Sequence, residues 1–182
     1  MDVSDPRPAP LPEVPAVPAD AYRAVMRGWP SGVTIVTMPG DEGPHGMTAS
    51  AFTSVSVDPP MVLVVVDQRW RSHAHIAEHR VFCVNILAEG QAEWSDRFAG
   101  RHGALPDRFA GIATARGVTG VPHLVAASAW LDCQVVQAHR AGDHTIFVGR
   151  VVACGSGEAS ARPLLYYDGA YGRVEPLAGG TG

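Results

Sequence analysis

The stretch Gly46 to Val57 (Gly-Met-Thr-Ala-Ser-Ala-Phe-Thr-Ser-Val-Ser-Val) carries the densest set of groups able to hold a ligand. Read as one strand, it puts Met47, Ala49, Ala51, Val55 and Val57 on one face, with Thr53 the polar member of that face. Thr48, Ser50, Ser54 and Ser56 fall on the other, interrupted by Phe52. Each hydroxyl can donate or accept a hydrogen bond. Four of them beside an aromatic ring suit a ligand that has polar chains and a flat apolar ring. The same pattern also fits the watery face of a half-buried strand.

A second stretch, Asp67-Gln68-Arg69-Trp70-Arg71-Ser72, leaves an apolar run and enters a short helical segment. A helix N-terminus offers free backbone N–H groups and the positive end of a dipole, and so accepts phosphate. Ser72 and the arginines would add charge-assisted contacts. A capped helix with solvated arginines is the plainer alternative. His75 and His79 stand four apart and could share a helix face, yet no third ligand has matching spacing, so no metal site is expected. His144 follows Gly142-Asp143 at a strand start, where a side chain can overhang a pocket mouth. The chain has no GxSxG elbow, no GxGxxG and no GxxxxGK[ST], which argues against an esterase-type triad, a Rossmann fold and a P-loop.

The elements that must position these groups are mostly strands. Gly32–Met38, Gly46–Val57, Met61–Asp67, Val81–Leu87, Ala129–Ala138 and His144–Cys154 read as strands. Met61–Asp67, apolar throughout, reads as a central strand covered on both faces. Leu164–Tyr167 and Tyr171–Val174 flank Asp168-Gly169, a hairpin signal. Short helices are expected from an Asp20 N-cap to about Gly28, from a Ser72 cap over His73–His79, and around Ala88–Phe98. Strand after strand without βαβ alternation predicts a mainly β fold, a closed antiparallel barrel with helices at its ends.

Length and composition set the frame. A chain of 182 residues fits one domain, and 46% hydrophobic residues suffice for a sizeable core. No apolar run reaches the length of a membrane helix. A net charge of -4 with arginines scattered singly argues against a nucleic-acid surface. Residues 1–19, with proline at positions 6, 8, 10, 12, 15 and 18, read as a disordered tail, and residues 177–182 as a flexible C-terminus. Cys83, Cys133 and Cys154 each sit in an apolar run without a CxxC, so reduced core thiols are expected. The N-terminus lacks a secretory pattern, and the chain is read as cytoplasmic.

Trp29-Pro30-Ser31-Gly32-Val33-Thr34-Ile35-Val36-Thr37, followed by Gly46 through Pro60, resembles the flavin reductase family with the FMN-binding split barrel. Val84–Ala88, Ser95–Gly100, Gly142–Arg150 and Pro163–Tyr167 extend the resemblance in order over about residues 20–174. It implies a homodimeric Greek-key split barrel spanning residues 20–176, with FMN or FAD near the subunit interface. By the resemblance, Met47, Thr48, Ala49, Ser50, Ala51, Phe52 and Thr53 line the flavin ring and ribityl chain. Val66, Asp67, Gln68, Arg71, Ser72 and His73 hold the phosphate end, and Arg97 closes it. His144 matches the family histidine near the nicotinamide of NADH or NADPH. One departure stands out: Trp70 occupies a position where relatives usually carry a small hydroxyl residue.

The implied activity is NAD(P)H-dependent flavin reduction for a partner flavin-dependent monooxygenase, chemistry the cofactors perform themselves once bound and oriented. A non-catalytic flavin carrier on the same barrel is the alternative. A pyridoxamine-phosphate-oxidase-like member is a more distant one. Gly142-Asp143-His144 favours the reductase over the carrier.

Overall fold

The computed structural model describes residues 14–157 and 162–175. The tail expected over 1–19 lies outside the described residues up to position 13, as does the C-terminus expected over 177–182. Three helices are described: α1 (Ala19–Met26), α2 (Arg71–His79) and α3 (Ala92–Phe98). The strands, in chain order, are β1 (Ser31–Gly32), β2 (Thr34–Gly40), β3 (Gly43–Ala49), β4 (Phe52–Val57), β5 (Pro60–Asp67) and β6 (Val81–Ile86). Then follow β7 (Thr114–Arg116), β8 (Pro122–Leu124), β9 (Ala129–Ala141), β10 (His144–Ser156), β11 (Leu164–Tyr167) and β12 (Ala170–Arg173). No described helix is long and apolar enough to cross a membrane.

Seven strands form one antiparallel sheet in the order β3-β2-β6-β9-β10-β5-β4. Its edge strands, β3 and β4, are consecutive in the chain and joined by Ser50-Ala51 alone. The sheet therefore curls until its edges lie side by side, which makes a barrel with an open seam. The β5–α2–β6 connection passes the β9–β10 pair before re-entering the sheet, a Greek-key crossing. Register shifts at Val148/Gly149 and Val151/Ala153 bend the 13-residue strands β9 and β10 around the barrel. Alternate residues Val62, Val64 and Val66 of β5 point into the core with Val36, Met38, Phe82, Val84 and Phe147. Each contributes about 1.5–3 kcal/mol when fully buried. A second core lies under α3, where Val33, Ile35, Leu87, Phe98 and Leu164 meet.

Several sequence expectations need correction. Gly46–Val57 is not one strand. It breaks at Ser50-Ala51, where the Phe52 N–H donates to the Ser50 carbonyl (3.0 Å), and it bulges between Ser54 and Ser56. The break shifts the alternation, so Phe52 rather than Ala51 follows Ala49 and Met47 against the core, and the bulge shifts it again beyond Ser54. Asp20 is not the N-cap of α1: Pro18 is, and Asp20 sits in the first turn, paired with Arg23 at 2.8 Å. Nor does Ser72 cap α2, because Trp70 stands at that N-cap. Within Ala88–Phe98 the α-helix begins at Ala92, after a 3₁₀ turn over Glu89–Gln91.

β5 neighbours the edge strand and is not central, and its outer residues Met61, Leu63 and Val65 are half-buried. Cys83 and Cys133 are buried, but Cys154 is exposed. The hairpin signal at Asp168-Gly169 meets its expectation, since both residues have positive φ (47° and 83°) between β11 and β12.

Candidate functional site

The residues that end β5 and begin α2 are tied into a rigid corner. The Asp67 carboxylate accepts the Arg69 backbone N–H (2.9 Å) and its guanidinium (2.6 Å). These bonds to Arg69 hold the carboxyl at about 2, so it stays ionised at neutral pH. Gln68 donates from its backbone N–H to the Asp143 carbonyl (3.0 Å) and from Nε2 to the His144 carbonyl (2.8 Å). The β9–β10 turn is thereby stitched to β5, with His144 directly opposite Asp67. His144 Nδ1 bonds Asp143 Oδ1 at 2.6 Å, which leaves Nε2 as the acceptor of the neutral ring. His73 Nε2 lies 2.9 Å from Thr145 Oγ1, and its ring packs on Phe147.

At the start of α2 the N-cap Trp70 is 64% exposed and makes no side-chain cap bond. Arg71 is exposed and makes no ion pair among the described residues. The first-turn amides and Arg71 thus form an electropositive mouth suited to an anion. The Ser72 side chain does not reach that mouth. It is 3% exposed and shares a 3.1 Å hydrogen bond with Nε2 of His45 on β3. His45 itself is pushed down to about 4, first by burial and then by the positive charges of His75, Arg108 and Arg71.

The seam of the barrel adjoins this corner. The Val65 N–H donates to the Ala51 carbonyl (3.0 Å), so Ser50-Ala51 lies two residues along β5 from Asp67. Ser50 and Tyr166 border two cavities. The smaller, about 170 Å³, is walled by Thr48, Ser95, Arg101 and Tyr171. The larger, about 590 Å³, opens toward Tyr22, Met26, Trp29 and Tyr167. Thr48 Oγ1 donates to the Ser95 carbonyl (2.6 Å). The Tyr171 hydroxyl lies 2.6 Å from Asp96 Oδ1 and 2.9 Å from Ser95 Oγ. With one proton to give, it donates to the carboxylate and accepts from the serine. Arg101 completes the network by donating to Asp96 (2.7 Å).

A fold with this seam and corner invites comparison with known proteins. The profile of the flavin reductase like domain matches residues 26–175. The chain belongs to the flavin reductase-like family. It is 43% identical over 155 residues to the reductase component of a 4-nitrophenol 4-monooxygenase/4-nitrocatechol 2-monooxygenase from Rhodococcus opacus, covering 85% of this chain and 80% of that one. It is 38% identical over 161 residues to HsaB, a flavin-dependent monooxygenase reductase subunit from Rhodococcus jostii, covering 88% and 80%. The solved NADH:FAD oxidoreductase SgcE6 of Streptomyces globisporus superposes with a TM-score of 0.79 at 35% identity, covering 93% of this chain and 96% of that one.

The residues expected to bind flavin, with His144 expected at the nicotinamide, fall into four settings. Thr48, Ser50, Ala51, Asp67, Gln68, Arg71, Ser72, His73 and His144 gather at the seam and corner. Met47, Ala49, Phe52 and Val66 turn their side chains to the barrel core, so any contact with a ligand there falls to their backbones. Thr53 is exposed beyond the seam. Arg97 lies elsewhere in its bonding: its guanidinium donates to Glu93 (2.8 Å) and the Ala110 carbonyl (2.7 Å). His45, Ser95, Arg101 and Tyr171 went unrecognised in the sequence. His45, Ser95 and Tyr171 gain their partners across elements distant in the chain, and Arg101, though bonded to Asp96 five residues before it, meets this network only where Tyr166 of β11 comes alongside.

Proposed function

We propose that this chain is an NAD(P)H-dependent flavin reductase that supplies reduced FMN or FAD to a partner flavin-dependent monooxygenase. Family membership over residues 26–175, joined to the meeting of the seam with an uncapped helix N-terminus, carries this reading. The residues fit a flavin. Arg71 and the first-turn amides of α2 face the phosphate end, where the anion is stabilised by the helix dipole. Ser50 and Ala51 leave the seam open for a flat ring, and Thr48 keeps lone pairs toward the smaller cavity.

When bound, the flavin supplies the two-electron chemistry itself. His144, held by Asp143 and by the Gln68 bond to its own carbonyl, orients the nicotinamide beside the seam. Its part is positioning, worth most when reacting atoms are brought to about 3–3.5 Å. The relative named as an NADH:FAD oxidoreductase supports NADH as donor, and those named as reductase components support an oxygenase partner. The protein acts in the cytoplasm, where its three free cysteines stay reduced.

Steady-state NADH and NADPH oxidation with excess FMN, FAD and riboflavin tests the assignment. Many turnovers per protein with free flavin are expected. A single stoichiometric reduction would instead make the protein a flavin carrier.

A further inference from the structure

Beneath the α2 mouth lies a polar link that the flavin reading does not use. Ser72, second residue of α2, keeps its hydroxyl buried and bonded to His45. His45 belongs to β3, the strand that runs on through Thr48 to the seam. One short chain of contacts therefore joins the strand beside the flavin ring to the turn beside its phosphate. We propose that His45 is a positioning residue for the flavin phosphate, acting through the Ser72 hydroxyl to fix the α2 first turn. This role rests on the flavin reading above.

Three observations carry it. The α2 N-terminus has no side-chain cap, and its first turn is held from within by backbone bonds alone, such as that from the His73 N–H to the Trp70 carbonyl (3.0 Å). The His45–Ser72 bond is a tie between that turn and the barrel wall, and burial makes it costly to break. The groups around the ring are also biased toward cations: Arg71 and His75 from α2 and Arg108 from the segment after α3 are balanced by Asp41 from the β2–β3 turn. Burial first, and these cations after it, keep the imidazole neutral, in the form that can share a hydrogen bond with a hydroxyl without adding a charge. His45 thus shapes the anion mouth and leaves Arg71 to supply the charge at its surface.

The test compares flavins with and without a phosphate. Affinities for FMN and riboflavin are measured by fluorescence quenching for the wild type and for His45→Ala, His45→Gln, His45→Asn, Ser72→Ala and His45→Ala/Ser72→Ala. His45→Ala is expected to weaken FMN about tenfold while riboflavin changes less than about twofold, the scale of one lost buried hydrogen bond. Gln can reach Ser72 and restores FMN affinity, whereas Asn is too short and does not. That contrast also decides the matter if the Ala variant fails to fold. Because both changes cut one link, the double variant is expected to match the weaker single variant.

Equal losses for both flavins, no loss for either, Gln no better than Asn, or additive losses in the double variant would overturn the role. A wild type that binds FMN and riboflavin equally would overturn the phosphate reading itself. A wild type that prefers FMN beside an indifferent His45→Ala would refute the role of His45 alone.

Discussion

Ser50 stands where the barrel edges meet, exposed and bordering both cavities of the seam. Its hydroxyl bonds no protein group among the described side-chain contacts, so it is available to a ligand. Ser50→Val keeps the β-compatible shape and removes that hydroxyl. Flavin affinity is expected to fall about five- to tenfold with the melting temperature unchanged, since one unmade hydrogen bond is worth roughly 1–1.5 kcal/mol. Fluorescence quenching that shows unaltered affinity would remove Ser50 from the site. His144 makes a contrasting case. Its ring is 40% exposed and its backbone is pinned by Gln68, so truncating the side chain leaves the strand in place. His144→Ala is expected to raise the KM for NAD(P)H with little change in flavin affinity, the sign of lost uniform binding. Stopped-flow reduction across nicotinamide concentrations separates the outcomes: wild-type saturation, or loss of flavin together with activity, would make His144 structural. Both residues were visible in the sequence because each belongs to a local motif. The resemblance also places Arg97 at the flavin; its guanidinium bonds Glu93, one helical turn back on α3, and the Ala110 carbonyl, a partner that no local pattern announces.

Whether the elements present these residues depends on close packing at a few points. Gly46 on β3 lies directly beneath α3. A Cβ there would stand 2.6 and 2.8 Å from ring carbons of Phe98 and 3.4 Å from Phe109. Phe98 is 2% exposed and locked edge-on against Phe109, so it has little room to yield. Gly46→Ala is therefore expected to destabilise the protein by about 1–3 kcal/mol through overpacking. Moving α3 would also disturb the Thr48–Ser95 bond and weaken flavin binding. Thermal denaturation with an unchanged midpoint would show that α3 is free to shift. The major strands were legible because their signals are local: an apolar run for β5, and a turn pair of positive φ between β11 and β12. β7 and β8 were not. They are three residues each, and β8 is held by long-range bonds, from the Leu124 N–H to Asn85 Oδ1 and from Thr37 Oγ1 to the Pro122 carbonyl. The break at Ser50-Ala51 escaped for a related reason. It contains neither Gly nor Pro, and barrel closure, a property of the whole sheet, dictates it.

At the scale of the whole molecule, the single chain leaves apolar surface that one barrel does not cover. α1 buries none of its residues, and Tyr22, Val25 and Trp29 are 58%, 77% and 70% exposed. A helix of eight residues is not stable in water by propensity alone, so α1 needs a surface to pack on. The outer face of β5 and the exposed Val55 and Val57 of β4 add further apolar area around the seam. A second copy of the chain, related by a two-fold axis, is the simplest cover, because the same patches then meet each other. The protein is therefore expected to run in light scattering at twice its 19.2 kDa at micromolar concentration. Val25→Glu, which places a charge on the exposed face of α1, is expected to shift it toward monomer. The larger cavity borders both α1 and Ser50-Ala51, so covering α1 would also wall the approach to the seam. Flavin affinity should then fall in the Val25→Glu variant and fall again on dilution of the wild type below its dimer dissociation constant. A wild type that scatters as a monomer would exclude the dimer. A monomeric variant that binds flavin as well as the wild type would show that each barrel forms its site alone.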